Sequence, residues 1–211
     1  MSCLPENLYQ YFKQRKAGVL DSEQYRRYAI FVPLAMQDGE LSVIFEVRSE
    51  FVPQPGEICF PGGKIDDGDS GASAAAEREL CEELGLSPED VEITGDLDYM
   101  VTPSKSMIFP FLGEIKSSAE LKPNPGEVKE IFSVPLKDLL EMKPNEHRIQ
   151  LAVKPEDGFP YHLIPNGEDY PWSAGVIYEH FYQYKNYIIW GLTARILTHV
   201  LEEMKKARTT V

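Results

Sequence analysis

The stretch Phe60-Pro-Gly-Gly-Lys-Ile-Asp-Asp-Gly-Asp-Ser-Gly-Ala-Ser-Ala-Ala-Ala-Glu-Arg-Glu-Leu-Cys-Glu-Glu-Leu-Gly-Leu86 decides the fold. From Ala72 to Leu84 it is rich in Ala, Leu and Glu and free of Pro and Gly, which predicts a helix. Gly85 then stands just past the helix end, where glycine is favoured. The part before Ala72 is crowded with Gly and Asp and reads as a loop. Between Asp66 and Glu83 there are seven carboxylates and a single base, Arg78. Glu79, Glu82 and Glu83 are spaced by three and four positions, which brings them to one helical face. Ala76, Leu80 and Leu84 form the opposite, apolar edge. Three like charges so close weaken a helix unless something binds them, and Mg²⁺ or Mn²⁺, which prefer carboxylate and water oxygens, would do so. An ordinary acidic surface helix satisfies the spacing equally well. Arg78 lies four residues before Glu82 and can pair with a carboxylate. Gly62 and Gly63 allow a tight path that brings backbone groups and Lys64 close to a ligand.

Outward from this segment, the pattern alternates between strands and loops. Tyr28-Ala-Ile-Phe-Val-Pro-Leu34 and Leu41-Ser-Val-Ile-Phe-Glu-Val47 read as two strands joined by the turn residues Gln37 to Glu40. Leu8 to Arg27 reads as one short helix or two. Residues 51–71 form the longest loop, broken only by Ile58-Cys59-Phe60. Further strands are expected at Val91–Gly95, Met107–Ile115, Val128–Val134 and Tyr178–Tyr184. Short and long helices are expected at Leu136–Met142, behind Pro135, and at Trp190–Lys206. Residues 143–175, rich in Pro, Gly, Asn and aromatics, have no periodicity that places them. The order implies an α/β (α+β) fold, a mixed β-sheet packed between helices as an α/β/α sandwich. We read residues 1–211 as one domain with an N-terminal helical extension over about 1–27.

Composition narrows the function. A formal net charge of −13 argues against a nucleic acid polymer or an anionic membrane as partner. It leaves room for a small phosphorylated ligand, because bound cations reverse the local field. Cys3, Cys59 and Cys81 are too few and too scattered for a zinc pattern and suit a reducing compartment. Cys3 reads as a terminal free thiol and the other two as core or half-buried thiols. No signal-like segment opens the chain, and Arg195 and His199 interrupt the apolar run Tyr187–Leu201. The expected location is cytoplasmic.

The segment from Gly63 to Leu86 resembles the Nudix box: Gly, five residues, Glu, seven residues, Arg-Glu, an aliphatic, any residue, Glu-Glu, any residue, Gly, an aliphatic. Arg78 to Leu86 matches at every fixed position. Asp69 stands where Glu is usual, and eight residues rather than seven separate it from Arg78. Asp with one extra residue also occurs in the coenzyme A diphosphatase branch of that superfamily. Gly56-Glu-Ile-Cys-Phe-Pro-Gly-Gly63, with Arg48-Ser49 before it, is similar to the upstream signature of the branch. Phe51, Val52 and Gln54 replace its usual Leu-Arg and His, with one residue fewer. Glu127-Val-Lys-Glu-Ile-Phe-Ser-Val-Pro-Leu136 and Ile189-Trp-Gly-Leu-Thr-Ala194 resemble two downstream segments of the same enzymes, so the likeness runs from about residue 28 to 200.

That resemblance implies a diphosphatase in which Glu79, Glu82 and Glu83 hold Mg²⁺ or Mn²⁺ and Arg78 orients a carboxylate. Water attacks phosphorus without a covalent nucleophile. Coenzyme A or a derivative is the implied substrate, giving 3',5'-adenosine bisphosphate and 4'-phosphopantetheine. Glu127 is the first choice for the base or metal-assisting Glu, and Glu130 the second. Arg48, Gly62, Gly63 and Lys64 are candidates for contact with the phosphates. Tyr161, Tyr170 and Trp172 are candidates for a wall receiving adenine or the pantetheine arm. Trp190 reads as core, Arg195 as a capping or pairing base, and His162 and His180 lack ligand spacing. Two alternatives share the helix: hydrolysis of ADP-ribose or another nucleoside diphosphate derivative, and a catalytically silent nucleotide-binding module. Dimers are common in the superfamily, so a homodimer is a further expectation.

Overall fold

The computed structural model describes residues 3–209. A long hairpin organises it. Strand β1 (Arg26–Gln37) and strand β2 (Glu40–Arg48) are joined by Asp38-Gly39, both in the left-handed region that a two-residue hairpin turn requires. Two short strands, β3 (Ile58–Cys59) and β4 (Gly62–Lys64), punctuate the predicted loop and pair with β2 and β1 respectively. Helix α2 (Ala72–Leu84) follows; α1 (Glu6–Gln14) lies near the chain start and buries none of its residues. Strands β5 (Val91–Asp96), β6 (Met100–Thr102), β7 (Ser106–Ile115) and β8 (Val128–Pro135) complete the eight-stranded sheet. Along its main path the order is β3-β2-β1-β7-β5, with β1 and β7 parallel and the other pairs antiparallel.

Alternation along the strands sends side chains to two cores. Ala29, Phe31, Ala35 and Ile44 pack with Ala75, Ala76, Leu80 and Leu84 of α2. Val32, Leu34, Val43, Phe45 and Val47 pack on the other face with Leu136 and Leu139 of α3 (Leu136–Glu141) and Ala194, Ile196, Leu197, Val200 and Leu201 of α4 (Gly191–Thr209). This is the expected sandwich of a mixed sheet between helices.

Two expectations change. Leu8–Arg27 holds α1 and a 3₁₀ turn at Ser22–Gln24, and its last residues already belong to β1. Residues 143–175 contain strand β9 (Asn145–Leu151), which pairs with β10 (Gly175–Tyr184) and, through it, forms a three-stranded sheet with β11 (Tyr187–Ile189). Every residue of β9 except Leu151 is exposed, so no apolar alternation marks it. The apolar run Tyr187–Leu201 divides into β11 and the start of α4.

Gly85 ends α2 at φ +66°, and an added Cβ would lie 2.5 Å from the Lys122 carbonyl oxygen. Gly85→Ala is therefore expected to cost at least about 1–2 kcal/mol from the left-handed conformation alone. A urea midpoint equal to wild type would contradict that requirement.

Candidate active site

The carboxylates of α2 separate according to depth. Glu83 follows Leu80 by three positions and turns inward with it, leaving 5% of its surface exposed. The Gly62 backbone N–H donates to its Oε2 at 2.9 Å. Glu79 is half-buried and faces Gly63, where a Cβ would fall 2.3 Å from the Glu79 carboxyl carbon. Glycine at 63 is what lets β4 and this carboxylate approach so closely. Glu82 is the outermost of the three, with over half its side chain exposed. The single face expected from spacing is thus a graded one, from buried Glu83 through Glu79 to exposed Glu82.

Arg78 ties the loop to the helix. Its Nε and Nη2 donate to the two Asp69 oxygens at 3.0 and 3.1 Å, a bidentate fork. Nη1 reaches Glu79 at 2.9 Å and Glu82 at 3.3 Å, and Nη2 also donates to the Lys64 carbonyl at 3.2 Å. The hydrogen bonds from Arg78 hold the Asp69 carboxyl below its ordinary pKa, and the Asp66 N–H adds to this. The bond to Asp69 in turn pushes the guanidinium pKa up. The pairing of Arg78 with Glu82 that the spacing suggested is present, and Asp69 adds the bidentate fork, which accommodates the departure from the usual box.

A fourth carboxylate, not foreseen, comes from the sheet. Glu46 of β2 is 1% exposed. Its Oε1 accepts from the Cys59 thiol at 3.2 Å, while its buried Oε2 has no hydrogen-bond partner. Burial raises the pKa of Glu46, Glu79 and Glu83 alike, and mutual repulsion adds to it: Glu46 acts on Glu83, Glu82 on Glu79, and Glu127 on all three. Burial also raises the Cys59 thiol, as expected of a half-buried, unreactive cysteine. The signal for Glu46 lay in the sequence, as a lone carboxylate between Phe45 and Val47.

The remaining candidates fall into two groups. Glu127, half-buried just before β8, joins the carboxylate cluster through its field. Glu130 lies one turn of the pleat further on, opposite Val47, and lines a neighbouring cleft. Lys64 is exposed and contributes its carbonyl to Arg78. Arg48 is spent on its own loop: Nε donates to the Pro53 carbonyl at 2.8 Å and Nη1 to the Cys59 sulfur at 3.9 Å.

Hard oxygen donors that are buried and mutually repelling fit a divalent cation, and the unpartnered Glu46 Oε2 fits it too. The side chains are not arranged as a finished cage: among the described residues no three His, Cys, Asp or Glu groups are poised together as ligands. Glu79 is turned to Arg78 and Glu83 to the Gly62 N–H.

On the sheet face away from α2, Val47, Gly56, Ile58, Phe132, Phe181, Tyr187 and Trp190 surround an open cleft of about 1080 Å³, which none of the α2 carboxylates lines. Phe132 and Tyr187 stack at 3.7 Å, and Phe181 and Trp190 lie nearly parallel at 5.8 Å. Trp190 is 42% exposed, which corrects its reading as core; the buried part of the helix begins at Thr193 and Ala194. Tyr161, Tyr170 and Trp172 do not line this cleft. Tyr170 and Trp172 pack on each other, and Tyr161 and Trp172 each pack on Phe159, within the 152–174 connection. His180 bonds to Thr198, and Arg195 lines a shallow depression with His180 and His199.

Several known proteins are similar to this chain. The mouse peroxisomal coenzyme A diphosphatase NUDT7 is 32% identical over 177 residues, covering 81% of this chain and 66% of that protein. The human mitochondrial coenzyme A diphosphatase NUDT8 is 34% identical over 117 residues, 54% of this chain and 50% of that one. The chain thus spans about half to two thirds of the length of these relatives. A C. elegans Ap4A hydrolase structure overlaps 54% of this chain and 83% of its own, at 20% identity and a TM-score of 0.46. The pattern of the NUDIX domain matches residues 25–153, which contain both β1 and the whole Arg78 cluster, and the chain belongs to the NUDIX domain family.

Proposed function

We propose that this chain is a metal-dependent diphosphatase that cleaves coenzyme A or one of its derivatives. The observation that carries the reading is the approach of Glu83 and Glu79 to the Gly62-Gly63 backbone, with Arg78 joining Glu79, Glu82 and Asp69. The names of the mouse and human relatives support coenzyme A as the substrate class.

Glu79, Glu82 and Glu83 would hold Mg²⁺ or Mn²⁺. Such ions, when bound, neutralise charge on the phosphoryl oxygens and lower the pKa of a water. Arg78 keeps the helix carboxylates and Asp69 in one connected network, so the site is held together before substrate enters. Gly62 and Gly63 bring the β4 backbone against the Glu83 and Glu79 carboxylates, where the ions and the diphosphate would meet, with Lys64 at the exposed rim. Glu127 is our first choice, and Glu130 the second, for the carboxylate that would accept the proton of the attacking water. The oxygen of that water bonds to phosphorus, the bridging P–O bond breaks, and the leaving phosphate carries the electron pair. With coenzyme A the products are 3',5'-adenosine bisphosphate and 4'-phosphopantetheine. Arg48, bonded to Pro53 and Cys59, shapes the 49–57 loop rather than the phosphate contact.

The aromatic cleft is the wall we assign to the remainder of the substrate, in place of Tyr161, Tyr170 and Trp172. Trp190→Ala is expected to raise KM by about tenfold with kcat within about twofold, the pattern of lost uniform binding. An unchanged KM would remove the cleft from substrate recognition. The three free cysteines fit a reducing compartment, and no described helix is long and apolar enough to cross a membrane.

The deciding experiment is a product screen by mass spectrometry. Coenzyme A, dephospho-coenzyme A, ADP-ribose, diadenosine polyphosphates and deoxynucleoside triphosphates are supplied in parallel with Mg²⁺ or Mn²⁺. The expected result is the highest kcat/KM on coenzyme A or an acyl form. A kcat/KM for ADP-ribose well above both would overturn the coenzyme A reading and leave the diphosphatase reading standing.

A further inference from the structure

Glu46 is a carboxylate in a place where carboxylates are costly. It sits in β2, paired across the ladder with Cys59 of β3 and Ile131 of β8. Ile44, two residues earlier and therefore on the same face of the sheet, packs with Ala76, Leu80 and Leu84 of α2. Glu46 consequently projects toward the inner side of α2, where Glu83 lies, and Glu46 is the charged group that acts most strongly on Glu83. The only cation nearby in sequence, Arg48, gives its guanidinium to Pro53 and Cys59. One oxygen of Glu46 has the Cys59 thiol and the other, fully buried, has nothing. A buried polar atom without a partner is rare in folded proteins, because it forfeits hydration and regains nothing.

We propose that Glu46 is a further carboxylate ligand of the divalent cation held by α2, contributed from the sheet through its unpartnered Oε2. This rests on reading the α2 carboxylates as a metal site. The cation supplies the partner that Oε2 lacks and screens Glu46 from Glu83. The Cys59 thiol occupies Oε1, which leaves Oε2 as the oxygen free for the ion.

The test uses the full chain and Mn²⁺ alone, with the dissociation constant read by calorimetry or electron paramagnetic resonance and thermal unfolding followed with and without the ion. Glu46→Gln is expected to weaken Mn²⁺ by about tenfold, which is about 1.4 kcal/mol. Without metal its Tm should equal or exceed that of wild type, and the Mn²⁺-induced rise should shrink. Glu46→Asp retains the charge but shortens the reach, and is expected to weaken Mn²⁺ less than Glu46→Gln; it also serves if Glu46→Gln does not fold. Wild-type Mn²⁺ affinity in both variants, or in the Asp variant should it alone fold, overturns the proposal. So does a lowered metal-free Tm with an unchanged dissociation constant, the signature of a purely structural residue. Glu83→Gln separates the two levels: wild-type Mn²⁺ binding there would overturn the α2 metal site itself, whereas loss there with normal binding in the Glu46 variants would overturn only the role of Glu46.

Discussion

Glu83→Gln is expected to lower kcat by on the order of 10²-fold or more, roughly 3 kcal/mol of transition-state stabilisation, while making the metal-free protein more stable. The two effects have one origin. Glu83 is buried beneath α2, and burial together with the Glu46 charge favours its protonated form. A carboxyl whose folded-state pKa is raised contributes stability that is fully present below the ordinary carboxylate range. That contribution is lost as pH rises toward the raised value, because the unfolded chain then releases its proton more readily than the folded one. Gln retains an oxygen that can accept from the Gly62 N–H and brings an amide donor toward Glu46, with nothing to ionise. Metal-free wild type should therefore lose Tm as pH climbs above the ordinary carboxylate range, and Glu83→Gln should lose less. Wild-type kcat in this variant would remove Glu83 from the catalytic site. An equally steep loss of Tm with pH would show that its burial is not what strains the metal-free fold.

How much of this could be read from the sequence depended on whether a residue's environment is set by its neighbours in the chain. The limits of α2 were legible because Ala72 to Leu84 favour one conformation and Gly85 readily takes the left-handed conformation that ends a helix. The β1–β2 hairpin was legible because Asp38-Gly39 separates two apolar runs. Strand β9 was not: its residues face water on both sides, so its pairing with β10 leaves no apolar period. Helical spacing placed Glu79, Glu82 and Glu83 toward one side of α2 but could not rank them by depth. Position 83 is three from Leu80 as well as four from Glu79, and only the packing of α2 on the sheet decides which neighbour it follows. Glu46 required strand parity together with knowledge of which sheet face α2 covers. Trp190 was misjudged because the apolar run that contains it spans a strand end and a helix start, and the residue between them is turned outward into the cleft.

Arg78→Lys is expected to lower kcat by about tenfold or more with little change in KM. The guanidinium makes five hydrogen bonds at once: two to Asp69, one each to Glu79 and Glu82, and one to the Lys64 carbonyl. An ammonium keeps the charge but is a point donor on a shorter head, and it cannot hold Asp69 bidentately while also reaching Glu79. The Asp66–Asp69 turn has its own backbone hydrogen bonds, so the loop should remain folded while its link to the helix loosens. Glu79 would then be free to swing, and it already crowds Gly63 so closely that no Cβ fits between them. If Glu79 holds the metal as proposed, its misplacement weakens transition-state stabilisation without touching the groups that bind substrate, which is why kcat and not KM should carry the change. Chemical rescue gives a sharper version of the same test. Arg78→Gly with added guanidinium should recover part of the lost kcat, since the planar fork can be supplied from solution to a site that remains about a third open. A raised KM with normal kcat in Arg78→Lys would instead assign Arg78 to direct contact with the substrate phosphates.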